Sequence, residues 1–270
     1  MRGSSRASLA EVEQRLEPLT GDPAVAAELG NELFAVAGLL ASQPVLRRAL
    51  GDQSRPASAR SARAHSVLDG KVRADTAGLV ADVASGRWSA ASDLTDAVEQ
   101  LAVQAVVAAA EARGHLDDME DELFRFGRIV SSTPELRIAL TNPFISGSDK
   151  RELLSSLLEG KVTAESLRLI TEAAVGPLGR SLDVSLEEYA RIAARRRERL
   201  VAEVYVAVPL TDQQRIRLAS ALSAGYGHQV HLNVVIDPKV AGGMTVRIGD
   251  ELIDGSVATR LAAARRRLVA

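Results

Sequence analysis

The chain contains no cysteine among its 270 residues, so disulfide bonds and thiolate metal ligands are excluded. Aromatic residues make up only 3% of the chain, with one tryptophan, Trp88. No apolar run approaches the length of a membrane span, and the N-terminus has no signal-peptide pattern. Charge of neither sign dominates, since 33 basic residues face 35 acidic ones. We expect a soluble, cytoplasmic protein with no overall electrostatic preference for nucleic acid.

Alanine, leucine, arginine and valine dominate the composition instead. Alanine, leucine and arginine lose little entropy in helices, so the composition favours a helical protein. A length of 270 residues allows one large domain or two to three small ones. Such a chain buries enough apolar surface to fold without covalent cross-links.

An internal repeat with a shift of ninety residues organises the first two thirds of the chain. Residues 31–52 align with 121–142, and 68–80 align with 158–170 without a gap. Roughly a third of the positions from 31 to 94 are identical to their counterparts. Three pairs of punctuating residues coincide: Pro44/Pro134, Gly70/Gly160 and Gly86/Gly176. We interpret the repeat as the duplication of one helical unit.

The periodicity predicts the helices of both copies. In the first copy they cover 24–42, 45–50, 56–69 and 74–85, preceded by 5–19. The segment 90–113 closes the first copy and opens the second. In the second copy the predicted helix caps are Thr133, Ser146 or Ser148, and Thr163. A longer helix with a basic C-terminal end is predicted from Leu182 to Leu200.

The last seventy residues change from helical to alternating periodicity. Residues 201–208, 230–236 and 244–248 read as strands. Thr211 and Gln214 form the pattern of a capping box, which opens a helix that runs to about Gly225. A short fourth strand and a final helix capped by Ser256 complete the prediction. The fold class is mainly α with a smaller α+β part: a duplicated helical-bundle region followed by a small C-terminal α/β domain, in the order strand–helix–strand–strand–helix.

A run of turn residues at fixed spacing stands out between residues 234 and 256. Its members are Asp237, Pro238, Gly242, Gly243, Gly249, Asp254, Gly255 and Ser256. Glycine tolerates positive φ, and a Gly249-Asp250 turn is typical of a hairpin. The run has no nucleophile–base pair and no phosphate-binding loop. A structural role in positioning a small sheet follows from the residues.

The same run closely resembles the C-terminal signature of the delta subunits of F-type ATP synthases, a family related to the mitochondrial oligomycin-sensitivity-conferring subunit. The resemblance extends over about 95–270, including the opening helices at 96–146 and the segment from Val206 to Leu210. Residues 1–94 have no counterpart in the short form of that family. They resemble the extended actinobacterial form, in which an extra helical copy precedes the common part.

The resemblance implies three domains: an extra helical repeat at 1–94, a helical bundle of the delta type at 95–200, and a C-terminal α/β domain at 201–270. It implies a non-catalytic stator connector that resists rotor torque. The helical domain would bind the N-terminal helices of the alpha subunits, and the C-terminal domain the b-type stalk subunits. No cofactor and no nucleic acid are expected. The protein would lie peripherally at the cytoplasmic face of the cell membrane, attached only through the complex.

An apolar groove that accepts an amphipathic helix would suit such docking. We predict it between the helices at 95–113 and 163–175. Its candidate residues are Leu101, Ala105, Val106, Leu167, Ile170 and Ala174. Apolar residues at helical spacing are more often part of a bundle's own core, so both interpretations stay open.

Other functions receive less support from the residues. His228 and His231 lack a third ligand for zinc. The arginines at 195–199 and 265–267 lack the interleaved aromatic residues that stack on bases. A helical-repeat adaptor of another assembly is the first alternative, and an RNA-binding protein is the second.

Overall fold

The computed structural model describes residues 3–176, 180–197, 200–226, 230–237, 240, 242–248 and 251–254. The chain divides into two compact units, residues 1–196 and 197–270. The boundary predicted at 94/95 falls inside a single helix, Ala91–Ala112, and the division of the helical unit into two domains stays a prediction.

Eleven α-helices and one short 3-10 helix make up the described part of the first unit. The first copy consists of α1 (Gly3–Leu16), the 3-10 helix (Glu17–Thr20), α2 (Pro23–Ser42), α3 (Pro44–Gly51), α4 (Ala57–Leu68) and α5 (Ala74–Ser85). Next comes α6 (Ala91–Ala112), which belongs to both copies. The second copy continues with α7 (Leu116–Ser132), α8 (Pro134–Thr141), α9 (Gly147–Leu158), α10 (Ala164–Val175) and α11 (Leu182–Arg197). These bounds confirm the helices predicted from periodicity, with one exception. The helix predicted from Leu182 to Leu200 is too long, because α11 is Leu182–Arg197 and Leu200 begins a strand.

The two copies repeat the same local contacts. The backbone N–H of Arg73 donates to the Glu32 carboxylate at 3.1 Å, at the start of α5. Ninety residues later the N–H of Thr163 donates to Glu122 at 3.0 and 3.1 Å, at the start of α10. Each carboxylate satisfies an unpaired donor at a helix N-terminus and complements its dipole. The structure therefore supports the interpretation of the repeat as a duplicated unit.

Helix caps follow the prediction at two of the three positions. The Ser146 and Thr163 side chains accept from the N–H groups of Asp149 and Ser166, at 3.1 and 3.3 Å. Thr133 precedes α8 in extended conformation, but its side chain makes no capping hydrogen bond. The prediction for Thr133 was wrong in this respect, and the proline at the first position of α8 already removes one of the N–H groups that needs a partner.

The expectation that no apolar segment approaches the length of a membrane span was wrong for α2, which by length and composition alone could cross a membrane. In the structure eight of its residues are buried within the helical unit instead. Helix α6 is enclosed even more completely, and its residues from 101 to 110 are all buried. One continuous core cluster extends from Leu9 in α1 to Ala193 in α11, so both copies share a single apolar interior.

Trp88 lies between α5 and α6 and is only 7% exposed. Its indole N–H donates to the carbonyl of Val83 at 2.8 Å, which satisfies the polar edge of a buried ring.

The second unit contains a four-stranded sheet and one described helix. The strands are β1 (Leu200–Val206), β2 (Val230–Ile236), β3 (Met244–Ile248) and β4 (Glu251–Asp254), in the spatial order β2-β1-β3-β4. β1 pairs parallel with β2 across α12 (Asp212–Tyr226), and antiparallel with β3. Alternate residues of β1 face a small core that α12 covers through Leu218 and Leu222.

Thr211 and Gln214 confirm the predicted capping box at α12. The N–H of Thr211 donates to the Gln214 side chain at 2.8 Å, and the N–H of Gln214 donates to the Thr211 hydroxyl at 3.3 Å. β3 and β4 pair with Ile248 opposite Glu251. The predicted Gly249-Asp250 turn and the final helix from Ser256 lie outside the described residues.

Candidate partner-binding groove

The groove predicted between α6 and α10 is filled in the isolated chain. Leu101, Ala105 and Ile170 are fully buried, while Val106 is 2% and Ala174 is 5% exposed. Leu167 is partly buried. The candidates therefore lie inside the shared core of the helical unit, and their use by a partner subunit stays a prediction.

Helix α2 supplies one side of that filling through a close approach to α6. A Cβ atom placed on Gly30 would lie 2.6 Å from Cγ2 of Val106 and 3.2 Å from the carbonyl oxygen of Ala102. Real Cβ atoms do not approach other atoms so closely, so a glycine is required for this spacing. The counterpart of Gly30 in the second copy is Glu120, and this close approach is thus specific to α2.

The Phe34 side chain of α2 continues the contact toward the second copy. The guanidinium of Arg168, in α10, lies 5.2 Å from the centroid of the Phe34 ring. The ring of Tyr189, in α11, meets Phe34 edge-on with centroids 6.4 Å apart. Aromatic and cation–π contacts of this kind add specificity to apolar burial. Phe34 thereby joins the first copy to two helices of the second.

Burial shifts the pKa values of the two residues that contact Phe34. Desolvation lowers the pKa of Arg168 below its ordinary value, although Glu172, 2.9 Å away, opposes the shift. Desolvation also raises the pKa of Tyr189 well above its ordinary value, so the phenol stays protonated. The neutral hydroxyl donates to Oε1 of Glu99 in α6 at 2.5 Å, and Arg180 pairs with the other carboxylate oxygen.

A second polar contact ties the end of the helical unit to its beginning. Arg196 donates from Nη1 and Nη2 to the Glu17 carboxylate at 3.2 and 2.8 Å, and from Nε to Glu111 at 2.6 Å. Burial alone would lower the pKa of Arg196, but the two carboxylates outweigh it and raise the pKa. The guanidinium remains charged and connects α11, the 3-10 helix and α6.

The signature residues that the structure describes are Asp237, Gly242, Gly243 and Asp254; Pro238, Gly249, Gly255 and Ser256 lie outside. The N–H of Asp237 donates to the carbonyl of Val206 at 2.9 Å, where β1 and β2 end together. Gly242 and Gly243 have φ angles of +74° and +80° and lead directly into β3. Side chains other than hydrogen disfavour these angles, so the glycines serve the turn itself.

No group of three or more His, Asp or Glu side chains that would hold a metal ion occurs within the part of the chain that the structure describes. Some of the ion pairs found there lie within one helix, as Arg125 with Asp121 does, and others join separate elements, as Arg247 in β3 does with Glu203 in β1.

The comparison with protein families matches residues 98–268 to the model of the ATP synthase delta (OSCP) subunit. The chain belongs to the ATP synthase delta (OSCP) subunit family. The ATP synthase subunit delta of Streptomyces avermitilis is 47% identical over 267 residues, which covers 98% of each chain. That of Thermobifida fusca is 46% identical and covers 99% of each chain. The match to these relatives includes residues 1–94, so the first repeat is shared with delta subunits of actinobacteria.

A chain of the Toxoplasma gondii mitochondrial ATP synthase hexamer is 22% identical and covers 62% of this chain and 95% of that chain. Its TM-score of 0.26 is too low to compare the folds. As a delta-family subunit, the chain is a component of the peripheral stalk of ATP synthase. Neither the adaptor nor the RNA-binding alternative finds support among the similar proteins.

The residues that join the copies were not singled out by the sequence. Gly30, Phe34 and Arg168 do not differ in type from ordinary helix residues, and helical periodicity does not reveal which neighbour a face will meet. The repeat contained one usable signal: Glu32 and Glu122 are identical at equivalent positions, and both bind a helix N-terminus.

Proposed function

We propose that this subunit links the catalytic head of the ATP synthase to its stalk, with the helical unit bound to the alpha subunits and the C-terminal unit to b-type subunits. The observation that carries the proposal is the division of one delta-family chain into two separately packed units. Each unit offers its own surface, and two tethered binding sites gain strength from the linkage between them.

The role is mechanical and non-catalytic. Torque on the head has to be resisted by a body that does not shear. Polar contacts between helices suit the helical unit to this: a buried one between Tyr189 and Glu99, and part-buried ones of Arg196 with Glu17 and Glu111. In this proposal the subunit lies on the cytoplasmic face of the membrane and reaches it only through its partners.

The exposed apolar residues of the second copy are the surface we assign to the head. Ile138 is 64% and Phe144 is 96% exposed, whereas their counterparts in the first copy are Arg48 and Ser54. One copy carries polar residues at these two positions and the other carries apolar residues. Folding of the helical unit therefore does not depend on which kind is present. The apolar residues of the second copy are then available for a contact with another protein.

Co-purification with the catalytic head tests the proposal. Ile138→Arg and Phe144→Ser install the residues that the first copy carries, so folding should be unchanged. We expect the double variant to bind the isolated head at least about tenfold more weakly than the wild-type chain. Val45→Ser, which changes a 72% exposed residue of the first copy, is the matched control and should bind normally. A wild-type chain that never associates with the head would refute the proposal.

A further inference from the structure

Helix α2 contacts both walls of the predicted groove. On the α6 side Gly30 lies against Ala102 and Val106, and on the α10 side Phe34 lies against Arg168. Val106 is itself one of the groove residues, and Arg168 belongs to α10, the helix that carries the other three candidates of this wall, Leu167, Ile170 and Ala174. Helix α2 therefore covers Val106 and reaches α10, and a docking helix from a partner would compete with it for this space.

We infer that α2 is the permanent occupant of this groove, so that the first repeat supplies in the same chain the helix that the groove binds. The alpha subunits then contact the helical unit elsewhere. The inference rests on the proposed function, since it concerns which surface of the helical unit the head can use.

The burial of α2 argues that the occupancy is permanent. Its buried residues include Gly30 and Phe34, which make the contacts described above, and Leu29, Leu33, Val36 and Leu40 within the same core. A partner helix that displaced α2 would have to compensate for the exposure of all of them, because α2 is also part of the interior of the first copy.

The duplication supplies independent support. The counterpart of Phe34 is Phe124 in α7, which is 63% exposed, whereas Phe34 is 2% exposed. Phe34 is covered by α10 and α11 of the following copy, and no third copy follows to cover Phe124. The same position is thus buried only where another repeat is present, as expected if the repeats bind one another through this face.

Hydrogen exchange of the full-length chain, free and bound to the isolated catalytic head, tests the inference. The amides of α2 should be equally protected in the free chain and in its complex with the head. Faster exchange of these amides in the complex would contradict permanent occupancy while leaving the proposed function intact. A wild-type chain that fails to bind the head would remove the proposed function and the inference with it.

Discussion

The Tyr189 hydroxyl donates a hydrogen bond of 2.5 Å to the carboxylate of Glu99, and the two residues stand at the same position of successive repeats. A tyrosine of the last helix thus contacts the equivalent residue of the helix that both copies share. The bond is buried and joins α11 to α6 directly. Equivalent positions of the two copies thus carry a hydrogen-bond donor, Tyr189, and its acceptor, Glu99, and their bond links the copies.

Tyr189→Phe should lower the free energy of unfolding of the helical unit by about 1–3 kcal/mol, because Glu99 then loses a donor while remaining buried. The ring contact with Phe34 would be kept. Urea unfolding followed by the fluorescence of Trp88, the single tryptophan, reports on this unit alone. In a Glu99→Gln background the same change should cost less, and an equal cost in both backgrounds would show that the two residues are not coupled.

Gly30→Ala should destabilise the helical unit by about 1–3 kcal/mol, because the new methyl group would overlap Val106 at the α2–α6 contact. Gly38→Ala, in the same helix, is the control: nothing lies within 4 Å of a Cβ at that position. Alanine there should raise stability by up to about 1 kcal/mol, since it favours the helix over glycine. Thermal unfolding of the two variants should therefore move in opposite directions.

Arg60→Ala should cost roughly 2–4 kcal/mol. The side chain is 4% exposed and donates to the carbonyls of Ala84, Ser85 and Gly86, at the C-terminal end of α5, at 2.8, 2.8 and 3.0 Å. The counterpart in the second copy is the buried Lys150. Arg60→Lys should consequently fold with about half the loss, as measured by chemical unfolding, because lysine keeps the charge but not the planar fork.

Asp96→Asn should stabilise the chain near neutral pH and have no such effect in acid. Burial raises the pKa of Asp96 in the folded protein; Arg180 opposes the shift and Asp93 adds to it. The protonated form of Asp96 stabilises the folded protein. This stabilisation is complete below the ordinary aspartate pKa and is lost as the pH rises through the raised pKa of Asp96 in the folded protein. Melting temperatures of both proteins measured from about pH 3 to about pH 8 should therefore diverge with rising pH. Parallel curves would contradict the assignment.

The local structure of this protein follows from patterns that are visible along its sequence. Helix bounds followed from apolar periodicity, prolines and caps, and the boundary between the helical and mixed units from the change of period at residue 201. The ninety-residue repeat and the signature at 236–256 led to the family. Periodicity, caps and turns depend on residues close together along the chain, and the repeat appears when the sequence is compared with itself.

Which surfaces meet depends on how the helices pack together. The sequence places the groove candidates on two apolar helices and leaves open whether a partner or the chain's own core covers them. Gly30 and Phe34 allow α2 to lie there. The missing Cβ of Gly30 permits a close approach to α6, and the ring of Phe34 packs against Tyr189. Helical periodicity specifies that one face of a helix is apolar. Which neighbour buries that face depends on how closely the side chains of helices distant in sequence fit together when they pack.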